Sequence, residues 1–132
     1  MIRLTQAWQR DNRAATTVEF ALAAPGLLVL VFGLMQVGMA FLANAGVRNA
    51  VEAGARKAVV YPRPTDTTIT STISANTFGL DSSRITGPTL THGTANGVPY
   101  VDISMNYSYP FTLAFVPLSP INLSYTRRAY QN

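Results

Sequence analysis

The run ALAAPGLLVLVFGLMQVGMAFL, from Ala21 to Leu42, decides how this chain folds, and its 22 residues carry no charge. Wound as a helix, such a run is about 33 Å long at ~1.5 Å per residue, and the hydrocarbon core of a bilayer is about 30 Å thick. Eleven of the positions are Leu, Val or Phe. Each favours insertion by roughly 0.3–0.6 kcal/mol near the membrane centre, so together they contribute at most about 3–6 kcal/mol. Gln36 and Pro25 oppose insertion. Pro25 sits toward the N-terminal end, where water can satisfy the backbone group a proline leaves open. The run reads as a membrane span, with its transmembrane part over 21–43.

Upstream, Arg3, Arg10 and Arg13 face one acid, Asp11. The positive-inside rule then puts residues 1–14 in the cytoplasm and everything after the span outside it. The formal charge of +4 is an orientation signal: the remaining basic residues are scattered and form no nucleic-acid surface. A cleavable signal peptide is the competing reading, because Ala43-Asn44-Ala45 fits a small-x-small cleavage pattern. Against it, the apolar run exceeds the usual ~7–15 residues of a signal-peptide core.

Downstream, the helical pattern does not stop. Val47, Ala50, Val51, Gly54, Ala55, Ala58 and Val59 recur at helical spacing, which makes one apolar stripe. Arg48, Asn49, Glu52, Arg56 and Lys57 occupy the other side, with Glu52 placed to pair with Arg56 four residues on. Pro62 and Pro64 end the pattern. The expectation is a single helix over 15–61, starting near Thr16 and ending near Tyr61. Its second half is amphipathic and needs a surface to pack on.

The remainder, 62–132, reads as a small β-rich domain. Thr65 or Asp66 caps a short helix through about Phe78, with Ile69 and Ile73 on one face. A strand over Arg84–Thr91 is interrupted by Gly87-Pro88, and His92–Gly97 is turn-rich, with Asn96-Gly97 a hairpin signal. Val101, Ile103, Met105, Tyr107 and Tyr109 alternate with polar residues in a one-sided strand. Pro110–Pro120 reads as a loop with apolar Phe111, Leu113, Phe115 and Val116. Ile121, Leu123 and Tyr125 then mark a last strand. Three antiparallel strands with one apolar face need a lid, and the amphipathic half of the long helix supplies it. There is no cysteine, so the core does without disulfides. The fold class is α+β: one long N-terminal helix packed on a small antiparallel sheet with a short helix.

Glu19 is the residue with most chemistry, since no other charge follows it until Arg48. A carboxylate near a bilayer costs energy that rises toward the centre. His92 is the only histidine and reads as a surface residue in a turn, and no Cys/His/carboxylate cluster has metal-ligand spacing. Tyr107, Tyr109 and Tyr125 read as core-facing. No cofactor and no enzymatic activity is expected.

The run from Arg13 to Pro25, with Glu19, Phe20, Ala21 and Leu22 before the proline, resembles the start of TadE-like minor pilins of the tight-adherence pilus systems. Val47–Arg56 is similar to the continuation of that family's helix before its β domain. The resemblance covers roughly residues 10–62 and implies a type IV pilin-like architecture. It also implies a prepilin-peptidase cut between Ala14 and Ala15, with Ala14 standing where such signals usually have Gly. Glu19 is then the fifth residue of the mature chain. It could pair with the α-ammonium of Ala15, on a neighbouring subunit or on its own. Such a buried pair often only breaks even. Glu19, Phe20 and Pro25 are the implied assembly residues. The implied setting is the bacterial inner membrane, single-pass, N-terminus cytoplasmic and C-terminus periplasmic, with passage to a surface pilus. The implied partners are prepilin peptidase, other pilin subunits and the pilus assembly platform, and no nucleic acid. The competing function is a signal-anchored or secreted binding module unrelated to pili, matured after Ala45.

Overall fold

The computed structural model describes residues 12–113 and 116–131. Arg3, Arg10, Asp11 and Phe115 therefore lie outside the described residues. Helix α1 runs without a break over Asn12–Ala58, 47 residues with Pro25 inside it. At ~1.5 Å per residue that is about 70 Å. It is already helical at Asn12, four residues before the expected Thr16, and stops short of Tyr61. Pro62 disfavours helical backbone at the residue before it, and Val60 N–H closes the last turn on the Lys57 carbonyl.

Helix α2 spans Asp66–Ala75, with Thr65 as N-cap accepting from Thr68 N–H. It ends before the expected Phe78, because Asn76 caps it through both its backbone and its side-chain amide. Ile69 and Ile73 are fully buried, as their spacing requires. A 3-10 turn, Ser82–Arg84, leads into the sheet.

Strands β1 (Ile85–Ala95), β2 (Val98–Tyr109) and β5 (Ile121–Tyr130) form an antiparallel sheet in the order β1-β2-β5. The β1–β2 turn is Asn96-Gly97, with φ of 52° and 80°. A two-residue turn with both φ positive matches the twist of the flanking strands. That turn also corrects the reading of His92–Ala95: its tightness keeps the ladder paired out to Ala95↔Val98, so these residues are strand. The expected interruption at Gly87-Pro88 is a register shift between Thr86 and Thr89. The Pro110–Pro120 loop contains a small ladder of its own, β3 (Thr112–Leu113) with β4 (Val116–Pro117). The last strand extends to Tyr130, farther than its apolar alternation suggested, because β2 offers a partner along the whole length.

Both helices cover one face of the sheet. Val101, Ile103, Met105, Tyr107 and Tyr109 of β2 point inward, while Asp102, Ser104, Asn106 and Ser108 face out. The helical stripe meets them with small residues, which lets the backbones approach. A Cβ at Gly54 would overlap the Ile73 side chain, and one at Gly46 would lie 2.9 Å from the Phe78 carbonyl oxygen. Val47, Ala50, Val51, Ala55 and Ala58 are buried, while Val59 at the end of the stripe is exposed.

Candidate functional site

The residues singled out at the N-terminus lie on the bare end of the rod. Ala14, Ala15, Glu19, Phe20 and Pro25 all belong to α1. Ala15, Glu19, Phe20 and Pro25 are exposed. The first buried helix residue is Ala43. Glu19 is thus about 36 Å along the axis from that first buried residue, at ~1.5 Å per residue. The structure brings none of these residues to the sheet domain. It does set Ala15 and Glu19 one turn apart on the same helix face. Among the described residues no cation pairs with Glu19.

The other polar contacts are structural ties between the rod and its cap. Glu52 does not pair with Arg56 as expected. Its Oε1 accepts from the Tyr125 hydroxyl at 2.7 Å and lies 3.6 Å from Arg127 Nε. The reason is the strand period: Tyr125 and Arg127 point to the same side of β5, and α1 packs along that strand. The bond to Glu52 pushes the Tyr125 hydroxyl above its ordinary pKa. Arg48 lies over the Tyr125 ring, 5.3 Å from its centroid. Thus Tyr125 is half-buried at the helix edge, whereas Tyr107 and Tyr109 are in the core. Gln131 follows β5 and donates from Nε2 to the Ala58 carbonyl at 3.4 Å, fixing the strand end to the helix end.

On the solvent face, Arg128 grips Asp102 with two bonds of 2.8 and 2.7 Å and stacks 3.8 Å above the Tyr100 ring centroid. That grip holds the Asp102 carboxyl below its usual pKa. The Ser83 hydroxyl and backbone N–H do the same for Asp81. His92 Nε2 stands 3.0 Å from both Asp66 carboxylate oxygens, tying β1 to the start of α2. Asp102 is therefore engaged by arginine and His92 by a different acid, and the two do not converge with a serine. Among the described residues no three His, Cys, Asp or Glu side chains cluster as metal ligands would.

One contact joins the sheet to the apolar run itself. The Tyr109 hydroxyl donates to Gln36 Oε1 at 2.9 Å. Gln36, the polar residue that opposes insertion, thus has a partner supplied by the domain. The sequence signal was present, a lone amide in an apolar run, but the partner lies 73 residues away.

A bare apolar rod with a two-layer cap on its far half defines the class: an α+β protein whose N-terminal helix is a candidate membrane span. A family model described as TadE-like protein, the family the sequence resembles, matches residues 14–56, about a third of the chain: the rod from the Ala14-Ala15 bond to the end of the Val47–Arg56 stripe. No curated protein and no solved structure matches the chain.

Proposed function

We propose that this protein is a minor pilin or pseudopilin that takes part in assembling a tight-adherence pilus, with a structural rather than a catalytic role. The observation that carries the reading is the coincidence of the segment matched by the TadE-like family model, 14–56, with a single unbroken helix whose first half is apolar and mostly exposed. Such a helix is stable only in lipid or among other helices. The same surface can serve in both places, first in the inner membrane and then among pilin neighbours.

On this reading prepilin peptidase removes residues 1–14, and Ala15 becomes the mature N-terminus. Its new α-ammonium lies one turn from Glu19, close enough to offset the carboxylate's charge locally or across a subunit contact. The alternative, a signal-anchored or secreted module cut after Ala45, would remove Ala43, which is buried under the cap, and Gln36, which holds Tyr109.

Intact-mass measurement of the protein from its own membranes separates the two. The proposal expects a chain beginning at Ala15, and a chain beginning at Gly46 contradicts it. A Glu19→Ala chain should be made and anchored but fail to support surface pili. Normal pili from that variant would remove the assembly role.

A further inference from the structure

The sheet reaches far below the top of the apolar run. At the foot of β2, Tyr109 is bonded to Gln36. The chain then enters the β3–β4 hairpin, which lies against α1 still lower down. A Cβ on Gly33 would stand 3.3 Å from Leu113 Cδ1. Gly33 is nine residues before Leu42, about 14 Å along the axis at ~1.5 Å per residue. That is close to half of the ~30 Å hydrocarbon core.

We infer that the described arms of the hairpin, 110–113 and 116–120, are a wedge embedded in the outer leaflet of the same bilayer, and that their exposed surface is covered by phospholipid chains. The inference rests on the reading of α1 as a membrane span over 21–42. Three observations carry it further. First, no charged residue occurs between Asp102 and Arg127, and the hairpin shows Val116 58% and Leu118 46% exposed.

Second, several main-chain groups of the described hairpin residues are paired within the protein or carry no donor. Lipid admits only main chain whose polar groups are satisfied within the protein. Pro110, Pro117 and Pro120 have no N–H to satisfy. Thr112 and Leu113 pair with Pro117 and Val116, and Leu118 N–H donates to the Phe111 carbonyl at 2.9 Å.

Third, the charges that flank the hairpin on the side of the cap lie well above it. Arg48 is two residues beyond Gly46 on α1. Asp81 follows Leu80, which packs on Gly46, and its N–H donates to the Tyr107 hydroxyl. Arg84 binds Asp81. These groups mark the aqueous border, and Phe78, 83% exposed, stands beside them at headgroup level. Between border and hairpin an open groove of about 420 Å³ runs along α1, lined by Val37, Phe41, Phe111, Ile121 and Leu123, and an acyl chain fits its chemistry. The cap therefore rests in the membrane, and leaving it strips lipid from hairpin, groove and rod together.

The chain has no cysteine, so single cysteines report one position each. Four full-length variants, Val116→Cys, Leu118→Cys, Leu30→Cys and Thr91→Cys, would carry the fluorophore NBD in phosphatidylethanolamine/phosphatidylglycerol vesicles. Quenching by spin-labelled lipid is compared with quenching by aqueous iodide. The wedge predicts that positions 116 and 118 follow Leu30, with blue-shifted emission and lipid quenching several-fold above iodide quenching, while Thr91 shows the reverse. If 116 and 118 follow Thr91 while Leu30 stays lipid-quenched, the span stands and the wedge falls. If Leu30 is also iodide-quenched, the span reading itself fails. Shielding of 116 and 118 that appears only when other subunits are added assigns the surface to a protein neighbour and likewise overturns the wedge.

Discussion

On the proposed membrane reading, the two halves of α1 are one helix in two solvents. Below Ala43 most of the large residues are exposed, with Leu22 78% and Leu34 71% exposed. Above it the residues are small and covered, with Val47 and Val51 fully buried. The difference follows from what each half must touch. Lipid chains conform to any apolar shape, so bulk serves the lower half. The sheet and α2 are fixed surfaces, so the upper half uses Ala and Gly to admit them. One continuous hydrogen-bonded rod lets the cap be built rigidly on an anchor without a linker.

The comparison can be broken by exchanging the two demands. Ile73→Ala, facing Gly54 in the capped half, should cost about 2–5 kcal/mol of domain stability. Thermal unfolding in detergent, followed by near-UV circular dichroism, reads that loss. Leu30→Ala should leave the same transition unmoved, within the ~0.5 kcal/mol expected of a substitution outside the packed core. In the bare half the penalty is for charge: Leu30→Arg should weaken insertion by about 3 kcal/mol near the bilayer centre. Carbonate extraction of membranes would show the variant moving to the soluble fraction.

Smaller effects sharpen the border between the halves. Tyr109→Phe removes the bond to Gln36 and should lower stability by roughly 0.5–1.5 kcal/mol, the ordinary net worth of such a bond. Thr65→Ala removes the cap of α2 and should cost about 1 kcal/mol. The smallest effect is that of acid on the solvent face. Asp102 and Asp81 have folded pKa values below their ordinary 3.8. Their contribution is present above that ordinary value and is lost as pH falls through the lower, folded values. A melting-temperature series from about pH 5 to about pH 2 should therefore decline. In Asp102→Asn the decline should be shallower. An unchanged slope in that variant would deny the Arg128 grip any role in stability.

Much of this was legible because the decisive signals are local. The 22 uncharged residues, the small-residue stripe, Ile69 with Ile73 and the strict alternation of Val101–Tyr109 each declare a period that the structure keeps. What the sequence concealed depends on pairing across the chain. Glu52 has a suitable arginine four residues away, yet the strand delivers Tyr125 and Arg127 to it. His92 sits in turn-like composition, yet the tight Asn96-Gly97 turn keeps it in the ladder. The hairpin at 110–120 looked like an apolar loop. Only its position beside Gly33 gives those apolar residues a meaning. For the candidate site, Glu19 and its neighbours are singled out by the run they occupy, and the fold adds only their place on the exposed part of α1.

The continuity of α1 through position 45 is tested most directly by a distance across it. Spin labels at Leu22→Cys and Arg56→Cys, both exposed positions, can be measured by double electron–electron resonance in phospholipid vesicles. An unbroken helix predicts one narrow distribution near 51 Å, from ~1.5 Å per residue. A broad distribution, or one centred well below that length, would mean that anchor and cap are joined by a hinge and would contradict the account.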